Sequence, residues 1–156
     1  EGKVFQDVTL SIRNVVNFLE SKLRLSNINL LQELDAHLPP VYCDPHQLEQ
    51  VFTNIIINAS DAMPEGGDLK IKTGVRGEWV KIDFSDTGYG IPEKDLGKIF
   101  EPFFSTKGGA GTGLGLFVSY NIVKAHKGTV EVKSKEGKGT TVSVQLPIPS
   151  LLARDL

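Results

Sequence analysis

The chain has 156 residues, 40% of them hydrophobic and 23% charged, a size and balance that suit one ordinary domain with a buried core. Its formal charge of -2 and pI near 5.9 carry no basic excess, which argues against nucleic acid or an anionic membrane surface as a partner. Cys43 is the single cysteine, so no intrachain disulfide is possible, and the lack of a Cys/His cluster disfavours a structural zinc site. No apolar run approaches the roughly 18 to 20 residues that span a bilayer. The sequence opens on Glu1 with no charged-then-apolar leader, as expected of a segment of a longer protein. A cytoplasmic location without direct membrane contact is expected for this segment, whether or not the parent is membrane-anchored.

Asp7 is placed to cap a helix over about Val8 to Leu25, in which Ile12, Val15, Val16 and Leu19 form an amphipathic stripe. Ile28 to Leu34 reads as a strand, and Leu38-Pro-Pro-Val-Tyr as a turn into a short extended piece. Asp44-Pro45 then pairs an N-cap with proline at the first helical position, opening a second helix to about Met63. Leu48, Val51, Phe52, Ile55, Ile56 and Ala59 mark its buried side, whereas Asn54, Asn58 and Asp61 share a polar face. Gly66-Gly67 ends that helix. Leu69 to Thr73 and Trp79 to Phe84 alternate as half-buried strands of a hairpin joined at Arg76-Gly77.

After Asp86 the periodicity fails for about twenty residues, apart from a short helix at Glu93 to Ile99; a stretch of that kind in a compact domain is usually functional or disordered. A third helix, about Gly113 to His126, and two closing strands, Thr129 to Ser134 and Thr140 to Leu146, complete the set. The expected fold is an α/β two-layer sandwich, with three helices on one face of a mixed sheet, in a single domain over 1–156 with its core at about 8–147. Periodicity alone leaves the strand order open.

Four stretches carry chemistry: Asn54-Ile-Ile-Ile-Asn58, Asp86-Thr-Gly-Tyr-Gly90, Phe100-Glu-Pro-Phe-Phe104 and Gly111-Thr-Gly-Leu-Gly115-Leu116. An asparagine such as Asn58 presents a neutral amide oxygen of the kind Mg²⁺ accepts while it bridges substrate phosphates. Asp86 follows a strand, and Gly88 and Gly90 permit a tight turn and a close ligand approach beside it. Its carboxylate is an acceptor that suits the exocyclic amino group of adenine and not the carbonyl of guanine. Gly111, Thr112, Gly113, Leu114, Gly115 and Leu116 open the third helix, where bare N–H groups and the helix dipole favour phosphate oxygens. The spacing matches neither the Rossmann nor the P-loop pattern.

In that order and spacing the four stretches resemble the catalytic, ATP-binding domain of sensor histidine kinases, within the group that includes gyrase, Hsp90 and MutL-type ATPases. The resemblance covers roughly Val8 to Pro147. It implies the Bergerat-type sandwich, a mainly antiparallel sheet and nucleotide held between the helix layer and a mobile lid. It also implies ATP and Mg²⁺ as ligands, with Asn58 on the metal, Asp86 on adenine and the aromatic cluster Phe100, Phe103 and Phe104 in the lid.

Related ATPases carry a water-activating glutamate where this chain has Asn54, and an amide cannot take that proton, so the resemblance implies phosphoryl transfer rather than hydrolysis. Lys107, before the glycines, is the cation placed to reach the phosphates. Many histidine kinases have a lysine and an aromatic where this chain has Asp61 and Ala62; the run Asn58 to Met63 is similar to the nitrogen-regulator branch. None of His37, His46 and His126 lies in an acceptor context, and His126 falls at a helix C-terminus, where a histidine meets the dipole favourably. The acceptor is therefore expected on a separate dimerisation domain of the same parent, with a response regulator as the indirect partner. An ATP-hydrolysing switch and a non-catalytic nucleotide sensor are the alternatives. Gly137 to Thr141 reads as a hairpin turn of structural weight.

Overall fold

The computed structural model describes residues 2–102, 104 and 115–149. A short strand β1 (Val4–Gln6) leads into α1 (Val8–Leu25), whose first turn is closed by the Asp7 carboxylate accepting from the Thr9 N–H at 3.0 Å. Val8, Ile12, Val15, Leu19 and Leu23 recur every three or four residues, and the helix buries that stripe, as its spacing requires. Strand β2 (Ile28–Glu33) and the short β3 (Val41–Cys43) precede α2 (Pro45–Asp61). Asp44 caps α2 by accepting from the N–H groups of His46 and Gln47 at 3.0 and 3.3 Å, and Pro45 occupies the first turn, where no donor is needed.

Strands β4 (Gly67–Arg76) and β5 (Trp79–Asp86) form the central hairpin, a 3₁₀ turn covers Glu93–Lys98, and α3 (Gly115–Ala125), β6 (Thr129–Lys135) and β7 (Gly139–Pro147) follow. The hairpin turns at Gly77-Glu78, one residue beyond the sequence expectation, because Gly77 supplies the positive φ of 62° that the turn needs. The five-stranded sheet has the order β2-β4-β5-β7-β6; β2 runs parallel to β4 and every other pairing is antiparallel.

Alternation decides which face is covered. Leu69 and Ile71 on β4, Val80, Ile82 and Phe84 on β5, and Val142, Val144 and Leu146 on β7 are buried, while the residues between them are largely polar. The three helices lie on that apolar face: α2 packs between α1 and α3, and Phe52 of α2 meets Phe84 of β5 with ring centroids 5.5 Å apart. The expected mixed, mainly antiparallel sandwich is the architecture observed. One element was not foreseen. Strand β1 pairs antiparallel with β3, Phe5 opposite Tyr42, and three residues are too few to show a period in sequence.

Candidate functional site

Helix α2 is buried along Leu48, Val51, Phe52, Ile55, Ile56 and Ala59, which turns Asn54 and Asn58, one helical turn apart, to its other flank beside the start of α3. The Asn54 Nδ2 donates to the Gly115 carbonyl at 3.3 Å and to the Ser119 hydroxyl at 3.2 Å, so the amide nitrogen is committed to α3. Gly115 sits against both amides: a Cβ there would lie 3.8 Å from the Asn58 Nδ2 and 3.9 Å from the Asn54 Cβ, ordinary contact distances. Residue 115 is thus glycine without a steric demand from these neighbours.

Asp86 ends β5, and its Oδ1 accepts from the Gly88 N–H at 2.8 Å and from the Thr140 N–H at 3.2 Å. Burial pushes its carboxyl above the ordinary value, and the two N–H donors oppose that rise. The loop after β5 is held against the protein on both sides. A Cβ on Gly88 would stand 2.4 Å from the Ala62 carbonyl oxygen, and Tyr89 donates its N–H to that same oxygen at 3.0 Å. A Cβ on Gly90 would stand 2.2 Å from the Lys135 oxygen, and Gly137 donates its N–H to the Tyr89 carbonyl at 2.7 Å. These glycines therefore permit close approach of backbone to backbone.

Between these groups lies a cavity of about 310 Å³. Asn54, Asn58, Asp61 and Ala62 of α2 and its C-terminal cap form one wall; Asp86, Gly90 and Thr140 another; Gly115 and Leu116 open the third. Ile91, Ile99, Val132, Val142 and Phe104 supply an apolar lining. Among the described residues lining it, two are acidic and none is lysine or arginine.

The structure thus brings together Asn54, Asn58, Asp86, Gly90, Gly115 and Leu116. Gly88 is not in the described lining, because Ala62 fills the space beside it. Lys107, Gly111, Thr112, Gly113, Leu114 and Phe103, with the rest of 105–114, lie outside the described residues. Of the aromatic cluster, Phe104 lines the cavity and Phe100 stacks on Tyr120 of α3, centroids 4.9 Å apart.

His126 stands at the C-terminal end of α3, as its sequence context implies; it is buried, its Nδ1 faces the Ile122 carbonyl at 2.8 Å, and its Nε2 accepts the Asp44 N–H at 3.1 Å. Thr140 was missed as part of the site. The Gly137 to Thr141 turn brings Gly139, whose Cβ would meet the Asp86 carbonyl oxygen at 2.2 Å, and the Thr140 N–H directly onto Asp86. A glycine directly before paired threonines, at the start of a strand, was the available signal.

A family model described as histidine kinase-, DNA gyrase B- and HSP90-like ATPase matches residues 43–150, a span that contains every wall of the cavity. The chain belongs to this family. It is 42% identical over 142 residues to Sporulation kinase E of Bacillus subtilis, a match covering 90% of this chain and 19% of that protein, so it spans about a fifth of that relative's length. The solved catalytic domain of histidine kinase ThkA superposes with a TM-score of 0.85 at 32% identity, covering 95% of this chain and 97% of that one. ThkA solved in complex with response regulator protein TrrA gives 0.80 at 28% identity, covering 94% of this chain and 42% of that one. The chain therefore corresponds to a histidine-kinase catalytic domain, with ATP as the nucleotide of its family.

The Asn58 amide in this lining is a neutral oxygen donor of the kind that Mg²⁺ accepts beside phosphate and water. The apolar lining suits the faces of a purine, and Asp86 at its edge suits a donor on the ring.

Proposed function

We propose that this chain is a single domain, with its core at residues 8–147, that binds Mg-ATP in the cavity and donates the γ-phosphoryl group to a histidine on a separate dimerisation domain of its parent. The observation that carries this reading is the amide at Asn54. Its Nδ2 is engaged by α3 and its oxygen is no base, so the position that would activate water in a hydrolysing relative cannot do so here. Asn58 is assigned to the metal and Asp86, through the carboxylate oxygen not taken by Gly88 and Thr140, to the adenine amino group. Gly90, Thr140 and Leu116 shape the base pocket, and Gly88 holds the loop that carries it. Gly111 to Gly115 and Lys107 are assigned to the phosphates.

When bound, Mg²⁺ supplies charge neutralisation for the phosphates in a cavity whose described side chains offer no cation. Transfer of this kind depends chiefly on positioning, which a wall of amides and backbone groups provides. A response regulator is the downstream partner, and a cytoplasmic location is assigned to this segment. Among the described residues no helix is long and apolar enough to cross a membrane.

Incubation with γ-labelled ATP tests the division of labour. The domain alone should bind ATP, release phosphate very slowly and remain unlabelled. Adding the cognate histidine-bearing domain should restore transfer, more efficiently when tethered, since a tether supplies an effective concentration of roughly a millimolar. Strong self-labelling, or rapid phosphate release without the partner, would refute it.

A further inference from the structure

Ser119 stands one turn into α3, 2% exposed, on a helix whose other buried residue is the apolar Val123. Its hydroxyl oxygen is 3.2 Å from the Asn54 Nδ2, and the Gly115 carbonyl is 3.3 Å from the same atom. The carbonyl fixes the sense of the amide, since a flip would set oxygen against oxygen. One acceptor would still leave the amide free to swing about that bond. Two acceptors on one NH₂ group define its plane.

We infer that Ser119 is a positioning residue: its hydroxyl locks the Asn54 amide with Nδ2 turned to α3, so that the oxygen alone is offered to the ligand. The oxygen suits a metal ion or a metal-bound water, whereas an amide N–H in the same place would repel one. The contact also ties α2, which carries both asparagines, to the helix that follows the glycine-rich segment. This inference rests on the proposed Mg-nucleotide site for its consequence, but the geometry of the amide stands by itself.

The test therefore has two arms on the same samples. In the first, the Asn54 side-chain NH₂ protons are followed by ¹⁵N-resolved NMR in the ligand-free domain. Both should be protected from solvent exchange in the unaltered chain and in Ser119→Thr, which keeps the hydroxyl, and one should lose protection in Ser119→Ala. In the second, ADP binding is measured by calorimetry with and without Mn²⁺. Ser119→Ala should weaken the metal-dependent affinity about tenfold, the order expected when a group that orients a ligand is removed, and leave metal-free affinity within about twofold. Ser119→Thr should restore it.

Full protection of both amide protons in Ser119→Ala would overturn the locking role. An equal fall of metal-dependent and metal-free affinity would reduce Ser119 to a packing residue and overturn the proposal. Failure of the unaltered chain to bind ADP in a metal-dependent way would instead refute the reading of the cavity, and the NMR arm would still decide whether Ser119 locks the amide.

Discussion

The most discriminating single change is Asp86→Asn, because it alters the ligand-facing atom and little else. Asparagine keeps an oxygen for the Gly88 and Thr140 N–H groups at 2.8 and 3.2 Å, so the loop and the start of β7 should hold their places. On the proposed adenine contact, the other carboxylate oxygen becomes an NH₂ group that would face the adenine amino group donor to donor. Loss of a hydrogen bond to a charged acceptor is worth about 1.5–3 kcal/mol, and the upper figure corresponds to roughly 150-fold in ATP affinity. Calorimetry with ATP and GTP reads this directly: ATP should weaken by that order, and the preference over GTP should narrow because the new amide can donate to the guanine carbonyl.

Stability should move independently of binding. Burial raises the Asp86 carboxyl, so the native state holds its proton more tightly than the unfolded chain. The stability contributed is fully present below the ordinary value of about 3.9 and is lost as pH rises through the folded value. The substituted domain lacks that titration, so its stability relative to the unaltered one should rise across that pH window in thermal denaturation. ATP affinity held within about twofold in Asp86→Asn, or equal binding of ATP and GTP by the unaltered chain, would refute the adenine role.

Three further outcomes are expected. Asn58→Ala should weaken ADP binding in Mg²⁺ far more than without it, by calorimetry; an equal drop in both would make Asn58 structural. Gly139→Ala should destabilise the fold by about 2–3 kcal/mol in denaturant titration, since its Cβ would stand 2.2 Å from the Asp86 oxygen at φ 105°, whereas Gly74→Ala, with nothing within 4 Å, should cost under about 1 kcal/mol. Cys43 is buried, with its thiol pushed up to about 11 by burial and the neighbouring Asp44, so a thiol reagent should label it only on unfolding; rapid native labelling at pH 8 would contradict the packing.

The parts of this fold that sequence made legible are those with a repeating signal. The α1 and α2 stripes and the alternation of β4, β5 and β7 each extend over enough residues to announce their face, and Asp7 and Asp44 mark helix starts by local chemistry. β1 escaped because its reason to be a strand is β3, a partner 37 residues further along. Thr140 escaped for a related reason: the group it contributes is a backbone N–H, which every residue but proline owns, and only the register of β5 with β7, Asp86 against Thr140, gives it a role. The place of His126 at a helix end could be read from sequence, but its tie to the Asp44 N–H could not, because that partner lies 82 residues away. Asn54 could be singled out from spacing, but the commitment of its nitrogen to Gly115 and Ser119 is a property of two helices meeting.

The Asp86 carboxylate has a consequence for what small ligands can achieve here. One of its oxygens is clamped by two backbone donors, from the loop after β5 and from the turn before β7. The torsional freedom that a surface aspartate would surrender on meeting a ligand has been removed by folding. A bare heterocycle with an amino donor therefore meets a finished half-site and bears little ordering cost there. If the proposed adenine contact holds, compounds with no phosphate mimic at all should reach a high binding energy per atom, with selectivity set by the turn geometry around Gly88, Gly90 and Gly139.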